Sequence, residues 1–256
     1  MFYTSYRNAR CVKGETRMIT NFKKLFTSGV QYINTKTLAD GYIKWLNFAN
    51  AGMLHKGNVY AMNFVFENLP SNKPILEIGS FCGLSTNAMS YLLQKNGRDN
   101  KIFTCDKWLF EGADKVKNVG ESQISHREYR EFVKSSFIKN VEFFSSDNKP
   151  YTIESTSDEF FELWQQNKTT NDVFGRTIQL GGSISFGYID GNHTYEFTKR
   201  DFENLDKYLE SGGYVLFDDS SDRDTFGLTK LMKEIINDQH YKLVMKNPNY
   251  LFQKIA

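Results

Sequence analysis

Hydrophobic and polar positions change their rhythm near residue 74. Upstream, Leu38, Tyr42, Trp45, Leu46 and Ala49 recur at helical spacing, and a second helix is predicted over residues 59–69, closed by Pro70 and Pro74. Downstream, short apolar runs alternate with longer amphipathic ones. KPILEIGS, KIFTCD, VEFFSSD, ISFGYID and GGYVLFDD read as strands. LSTNAMSYLLQK, REYREFVKSSFI, SDEFFELWQQ, YEFTKRDFENLDKYL and TKLMKEIIND read as the helices that follow each of them. Strands separated by helices of about 10–15 residues imply βαβ units and a parallel sheet. The last two runs, YKLVMKN and YLFQKI, lie too close together for a crossover helix, so they are expected to pair as an antiparallel hairpin around Pro248. The expected fold is an α/β sheet of seven strands, five parallel plus the C-terminal hairpin. Residues 1–57 form an N-terminal helical extension or lid to a main domain over residues 58–256.

Length and composition narrow the classes of function. A chain of 256 residues can bury one large α/β core. Its formal charge of +2 leaves no electrostatic footprint for a nucleic acid or an acidic membrane. No apolar run reaches the roughly 18 residues of a membrane span, and MFYTSYRNARCVKGETRM lacks an apolar signal core. Three widely spaced cysteines, Cys11, Cys82 and Cys105, form neither a disulfide framework nor a zinc pattern. A small-molecule partner and a cytoplasmic setting are expected.

The candidate chemistry gathers at the ends of the strands. LEIGSFCGLST places Glu77 late in the first strand, with Gly79, Ser80, Phe81 and Gly83 in the turn before a helix. Glycines permit a tight turn and a close ligand approach. The turn is neither G-x-G-x-x-G nor a P-loop, so a cofactor without a phosphate suits it better than a dinucleotide. Asp106 ends the second strand, where a carboxylate accepts from both hydroxyls of a ribose. Ser146 and Asp147 end the expected third strand, within reach of an adenine amino group. Each of these residues alone reads equally as a turn or a solvated acid.

The fourth strand ends at Asp190 and the fifth at Asp218 and Asp219. Neighbouring strand tips lie about 5 Å apart, so three carboxylates are expected to converge. Their repulsion calls for a hard divalent cation, Mg2+ above all. The competing reading has Asp190 capping the helix near Thr194, and Asp218 or Asp219 capping a loop or pairing with Arg223. His193 follows Asp190 by three positions, as a polar loop residue, a metal ligand or a base. His126 and Arg176 are candidate anion contacts in the long loops.

In this order and spacing, ILEIGSFCGLST, FTCDKW, YIDGNHTY and GGYVLFDD resemble the class I S-adenosyl-L-methionine-dependent methyltransferases over residues 58–256. The resemblance implies a Rossmann-like, doubly wound sheet. It implies that Glu77, Gly79, Ser80, Phe81 and Gly83 line the methionine and ribose part of the cofactor. Asp106 and Lys107 would follow at the ribose, with Trp108, Ser146 or Asp147 near the adenine. Phe81 departs from the family by standing where a glycine is common. The acids resemble those of metal-dependent O-methyltransferases acting on catechols, caffeoyl esters and macrocin-type sugars. That likeness implies Asp190, Asp218 and Asp219 as ligands of Mg2+ or another divalent cation, and Asp190 beside the cofactor. It places His193, in the position of a lysine, as the base. The implied activity is O-methylation of a small polar acceptor such as a sugar, a nucleotide sugar or a surface-polysaccharide precursor. N-methylation is the rival, although DGNH stands where an Asn/Asp-Pro-Pro-Tyr/Phe motif would bind an amine. A hydroxylase-like relative or a non-catalytic binding module would also carry these motifs. Residues 1–57 would cap the active site, form a homodimer contact, or both.

Overall fold

A computed structural model describes residues 35–110, 117–222 and 227–256. The chain lays down helices α1 (Gly41–Ala49) and α2 (Lys56–Glu67), then strand β1 (Ile75–Ile78), α3 (Leu84–Lys95) and β2 (Ile102–Cys105). The long helix α4 (His126–Phe144), β3 (Tyr151–Ile153) and α5 (Ser157–Gln165) follow. A small pair, β4 (Thr169–Asn171) and β5 (Thr177–Gln179), precedes β6 (Ile184–Ile189), α6 (Tyr195–Asp206) and β7 (Leu209–Phe217). Helix α7 (Leu228–Ile236) and strands β8 (Tyr241–Lys246) and β9 (Tyr250–Lys254) complete the order.

The main sheet has seven strands in the order β3-β2-β1-β6-β7-β9-β8. Strands β3, β2, β1, β6 and β7 pair in parallel, while β9 runs antiparallel to both β7 and β8. The C-terminal hairpin therefore wedges its second strand against the parallel block. Chain direction across the sheet reverses between β1 and β6, the place where an open α/β sheet offers a crevice.

Alternation along the strands makes two cores. Ile75, Ile102, Phe186, Tyr188, Tyr214, Leu216 and Leu251 face α1, α2 and α3. Their neighbours Leu76, Phe103, Ile189, Val215, Phe217 and Phe252 face α5, α6 and α7. A period of two on strands buried on both faces explains why these runs read as continuously apolar. Ile43 and Leu46 of α1 share the first core, so the described part of the expected extension packs on the sheet domain. Residues 1–34 of that extension lie outside the described residues.

One expected strand is corrected. VEFF is the last turn of α4, and the third strand is the short YTI segment. Val133, Phe137 and Val141 repeat every fourth residue and are all fully buried, so the helical stripe runs through the segment without a breaker. A capping box between Ser125 and Glu128 starts that helix, and one between Thr156 and Glu159 starts α5. The pair β4–β5 was not expected either. Its turn lies along the outer edge of β3, where Val173 N donates to Thr152 O (2.9 Å).

Candidate active site

The first strand and the fourth parallel strand end against each other. Gly79 has φ +85°, and a Cβ there would lie 2.1 Å from the carbonyl oxygen of Asp190. Only glycine allows both the left-handed backbone and this approach. Gly79 N donates to Cys105 O (3.0 Å), Asp190 N to Ile78 O (2.8 Å), and Asp218 N to Ile189 O (2.9 Å). These bonds set the tips of β2, β1, β6 and β7 in one row. Gly83, at φ +86°, turns the chain into α3.

Asp106 closes the turn from the side. Its Oδ2 accepts from Ser80 N (2.8 Å) and Phe81 N (2.9 Å), and its Oδ1 from Trp108 N (2.6 Å). Phe81 and Trp108 both hold positive φ, 45° and 51°, on either side of this clamp. Burial pushes the Asp106 carboxyl above its ordinary range, while the three N–H groups draw it back. The acid expected to hold a ribose thus first holds the loop.

At the other side of the crevice Asp190 and Asp218 meet. Burial, and next the neighbouring charge of Asp218, hold the Asp190 carboxyl well above the usual range. Asp218 is 7% exposed, and its Oδ1 accepts from the carboxamides of Asn58 and Asn249. His193 Nε2 stands 3.9 Å from Asp190 Oδ1 and 3.7 Å from Asp219 Oδ2. The expected meeting of three acids is realised as a pair, with Asp219 half exposed and reaching His193. Consecutive positions at a strand end point different ways, and Asp219 turns further at φ 47°. Arg223 lies outside the described residues.

As placed, no three His, Cys, Asp or Glu side chains among the described residues form a metal-holding group. The donor chemistry nevertheless suits a hard cation. Two acids are in contact, and among the described residues no Lys or Arg forms an ion pair with either.

A crevice built from glycine, acids and a histidine at the reversal of strand order narrows the protein to a ligand-binding α/β enzyme class. Residues 76–220, more than half of the chain, match a family described as a methyltransferase domain. The chain belongs to this methyltransferase family. Solved structures share its fold. An O-methyltransferase from Bacillus cereus in complex with SAH is 12% identical with a TM-score of 0.53, covering 92% of this chain and 97% of that one. The SAH-bound methyltransferase PaMTH1 from Podospora anserina is 11% identical with a TM-score of 0.53, covering 97% of this chain and all (100%) of that one. CalS11, a calicheamicin methyltransferase, is 17% identical with a TM-score of 0.52 and covers 99% of each chain. No curated protein sequence matches the chain. Among the described residues, no helix is long and apolar enough to cross a membrane.

Within this methyltransferase domain several expected ligand residues stand elsewhere. Glu77 is fully buried and accepts from the hydroxyls of Ser85 and Thr86, so it braces the start of α3 and does not reach the crevice. Trp108 is 1% exposed, packs on Phe137 and donates its indole N–H to Phe81 O (2.9 Å), so it holds the loop and leaves no face for an adenine. Ser146 and Asp147 follow α4 and precede β3, which puts them at the amino-terminal end of the strand, opposite the carboxyl ends that form the crevice. The shift follows from the misread strand. Arg176 is taken up by Asp172 and by the carbonyls of Lys149 and Pro150, while Nδ1 of His126 is buried without a partner.

The residues at the true end of β3 are Glu154 and Ser155. With Lys107, Glu159, Asn171 and Asp172 they line a cavity of about 350 Å³. The Ser155 Oγ is buried without a hydrogen-bond partner, and Ser80 Oγ, next to the buried Glu77, likewise makes no well-formed bond. Asn58 was also missed. The signal was a polar side chain between the buried Gly57 and Val59 of α2.

Burial raises the Glu77 carboxyl from 4.5 to about 7, against the pull of the Ser85 and Thr86 hydroxyls. The folded protein therefore binds a proton that the unfolded chain releases. The stability from this group is complete below about 4.5 and is lost as pH rises through about 7. Asp201, raised to about 6 by its own burial, adds the same sign. Thermal melts across this range should show the parent losing stability towards alkaline pH, with Glu77→Gln flattening the slope. An equal slope in both proteins would remove the assignment.

Proposed function

We propose that the protein transfers a methyl group from S-adenosyl-L-methionine to a hydroxyl of a small polar acceptor, with a divalent cation held by Asp190, Asp218 and Asp219. One observation carries this reading: the contacting Asp190–Asp218 pair, with His193 within 4 Å of Asp190, adjoins the Gly79 turn. Donor and acceptor sites then share one crevice. The fold and the family support the donor, since SAH is bound by the Bacillus cereus and Podospora anserina structures.

The chain's own residues divide the work. The Gly79–Gly83 turn lets the donor approach backbone. Asp106 keeps that turn open and has lone pairs left for ribose hydroxyls. The cavity beside Lys107 and Ser155 suits the adenine end, because a buried hydroxyl without a partner gains a hydrogen bond there. A bound cation would lower the pKa of an acceptor hydroxyl and fix its direction. His193 takes the proton as the nucleophile forms, and the carboxylates of Asp190 and Asp219 offset the charge the imidazole gains. The near-neutral chain, at formal charge +2, favours a small acceptor over a polyanion, and a sugar or nucleotide sugar is the class proposed.

The test is a panel of nucleotide sugars and catechols incubated with the donor, with product mass as the readout. A gain of one methyl group is expected, abolished by chelator and restored by Mg2+. Turnover undiminished in chelator would remove the cation, and a gain of one oxygen would remove methyl transfer.

A further inference from the structure

Asp218 is held by two neutral amides that come from opposite ends of the chain. Asn58, fully buried at the start of α2, donates to Asp218 Oδ1 and to Tyr188 OH (3.3 Å). Asn249, 5% exposed in the β8–β9 turn, donates to the same Oδ1 (2.8 Å) and to Asn58 Oδ1 (3.0 Å). Each amide thereby orients the other. The turn itself is fastened: Asn247 Nδ2 donates to Gly57 O (3.2 Å) and Lys36 O (2.9 Å), and its Oδ1 accepts from Lys36 N (2.7 Å). A Cβ on Gly57 would fall 1.7 Å from Asn247 O, so glycine lets α2 begin directly against this turn.

The choice of amides has a consequence. A lysine or arginine in their place would orient Asp218 and cancel its charge as well. Carboxamides supply N–H groups without a net charge. With both amides on Oδ1, that oxygen is occupied, and Oδ2 carries neither of them. We propose that Asn58 and Asn249 are positioning residues. They fix Asp218 as a one-oxygen donor of undiminished charge towards a divalent cation, and so make cation affinity depend on the docking of α2 to the β8–β9 turn. The proposal rests on the cation-assisted reading above. Groups that orient a metal's ligands typically govern affinity by about 10–100-fold.

The experiment is calorimetric titration of Mn2+ alone into the parent, Asn249→Ala and Asn58→Ala, with SAH affinity and melting temperature measured on the same samples. Both variants are expected to bind Mn2+ about tenfold or more weakly, with SAH affinity within about twofold of the parent. Asn249, in a turn outside the helices and strands, carries the test if Asn58→Ala shows no melting transition. Unchanged Mn2+ affinity with a lowered melting temperature would make the amides purely structural and overturn the proposal. An equal loss of SAH affinity would overturn it too, since the effect would then be general. A parent that binds SAH but no Mn2+ would overturn the cation reading along with it.

Discussion

Replacing His193 with alanine is expected to lower turnover by about 10²–10⁴-fold, the range for loss of a general base. The imidazole Nε2 lies 3.7–3.9 Å from two carboxylates at the end of the crevice. The loop that carries it is set by its neighbours: Thr194 N donates to Asn192 Oδ1 (2.9 Å), and Thr198 Oγ1 to Asn192 O (3.0 Å). The side chain is 28% exposed, so its removal opens no void in the core. Donor affinity and melting temperature should therefore stay near the parent's while the rate falls. Single-turnover assays separate these quantities. A variant with the parent's rate would exclude the base, and the carboxylates or solvent would then have to take the proton.

Asp106→Ala is expected to lose cofactor binding and stability together. Three backbone N–H groups, of Ser80, Phe81 and Trp108, lose their acceptor at once. A buried donor left unpaired costs about 1–3 kcal/mol. These bonds are only partly buried and water recovers some of the loss, so a total of about 2–4 kcal/mol is expected. The backbone at Phe81 and Trp108 is held at positive φ and would relax towards ordinary conformations. Asp106→Asn should fall between alanine and the parent, because one carbonyl oxygen remains while the amide N–H₂ faces backbone donors. Chemical denaturation and SAH calorimetry on all three proteins check this ordering. Parent-like values for the alanine variant would refute both the clamp and any ribose contact.

The errors of sequence reading were local in origin. The βαβ alternation and the closing hairpin were legible because hydrophobic period is a property of neighbouring residues. VEFFSSD was misread because Val141, Phe143 and Phe144, with only Glu142 among them, satisfy either period. The buried stripe of Val133, Phe137 and Val141 favours the helix. That one error carried the adenine end to Ser146 and Asp147, at the wrong end of the third strand, and hid Ser155. Glu77 and Trp108 were placed by position in a motif, which reports where a residue stands along the chain and not which way it faces. Glu77 braces the start of α3 and Trp108 holds the loop.

By itself the sequence determined the order of strands and helices, the glycine turn, and the acids at the ends of the second, fourth and fifth parallel strands. These follow from periodicity, from the backbone freedom of glycine and from where carboxylates stand along the chain. Tertiary structure alone decided that Gly79 must meet the carbonyl of Asp190, that Asp218 is gripped by Asn58 and Asn249, and that Asp219 turns to His193. Such contacts join residues 111, 160 and 31 positions apart, and side-chain direction at a strand end depends on the neighbour across the sheet.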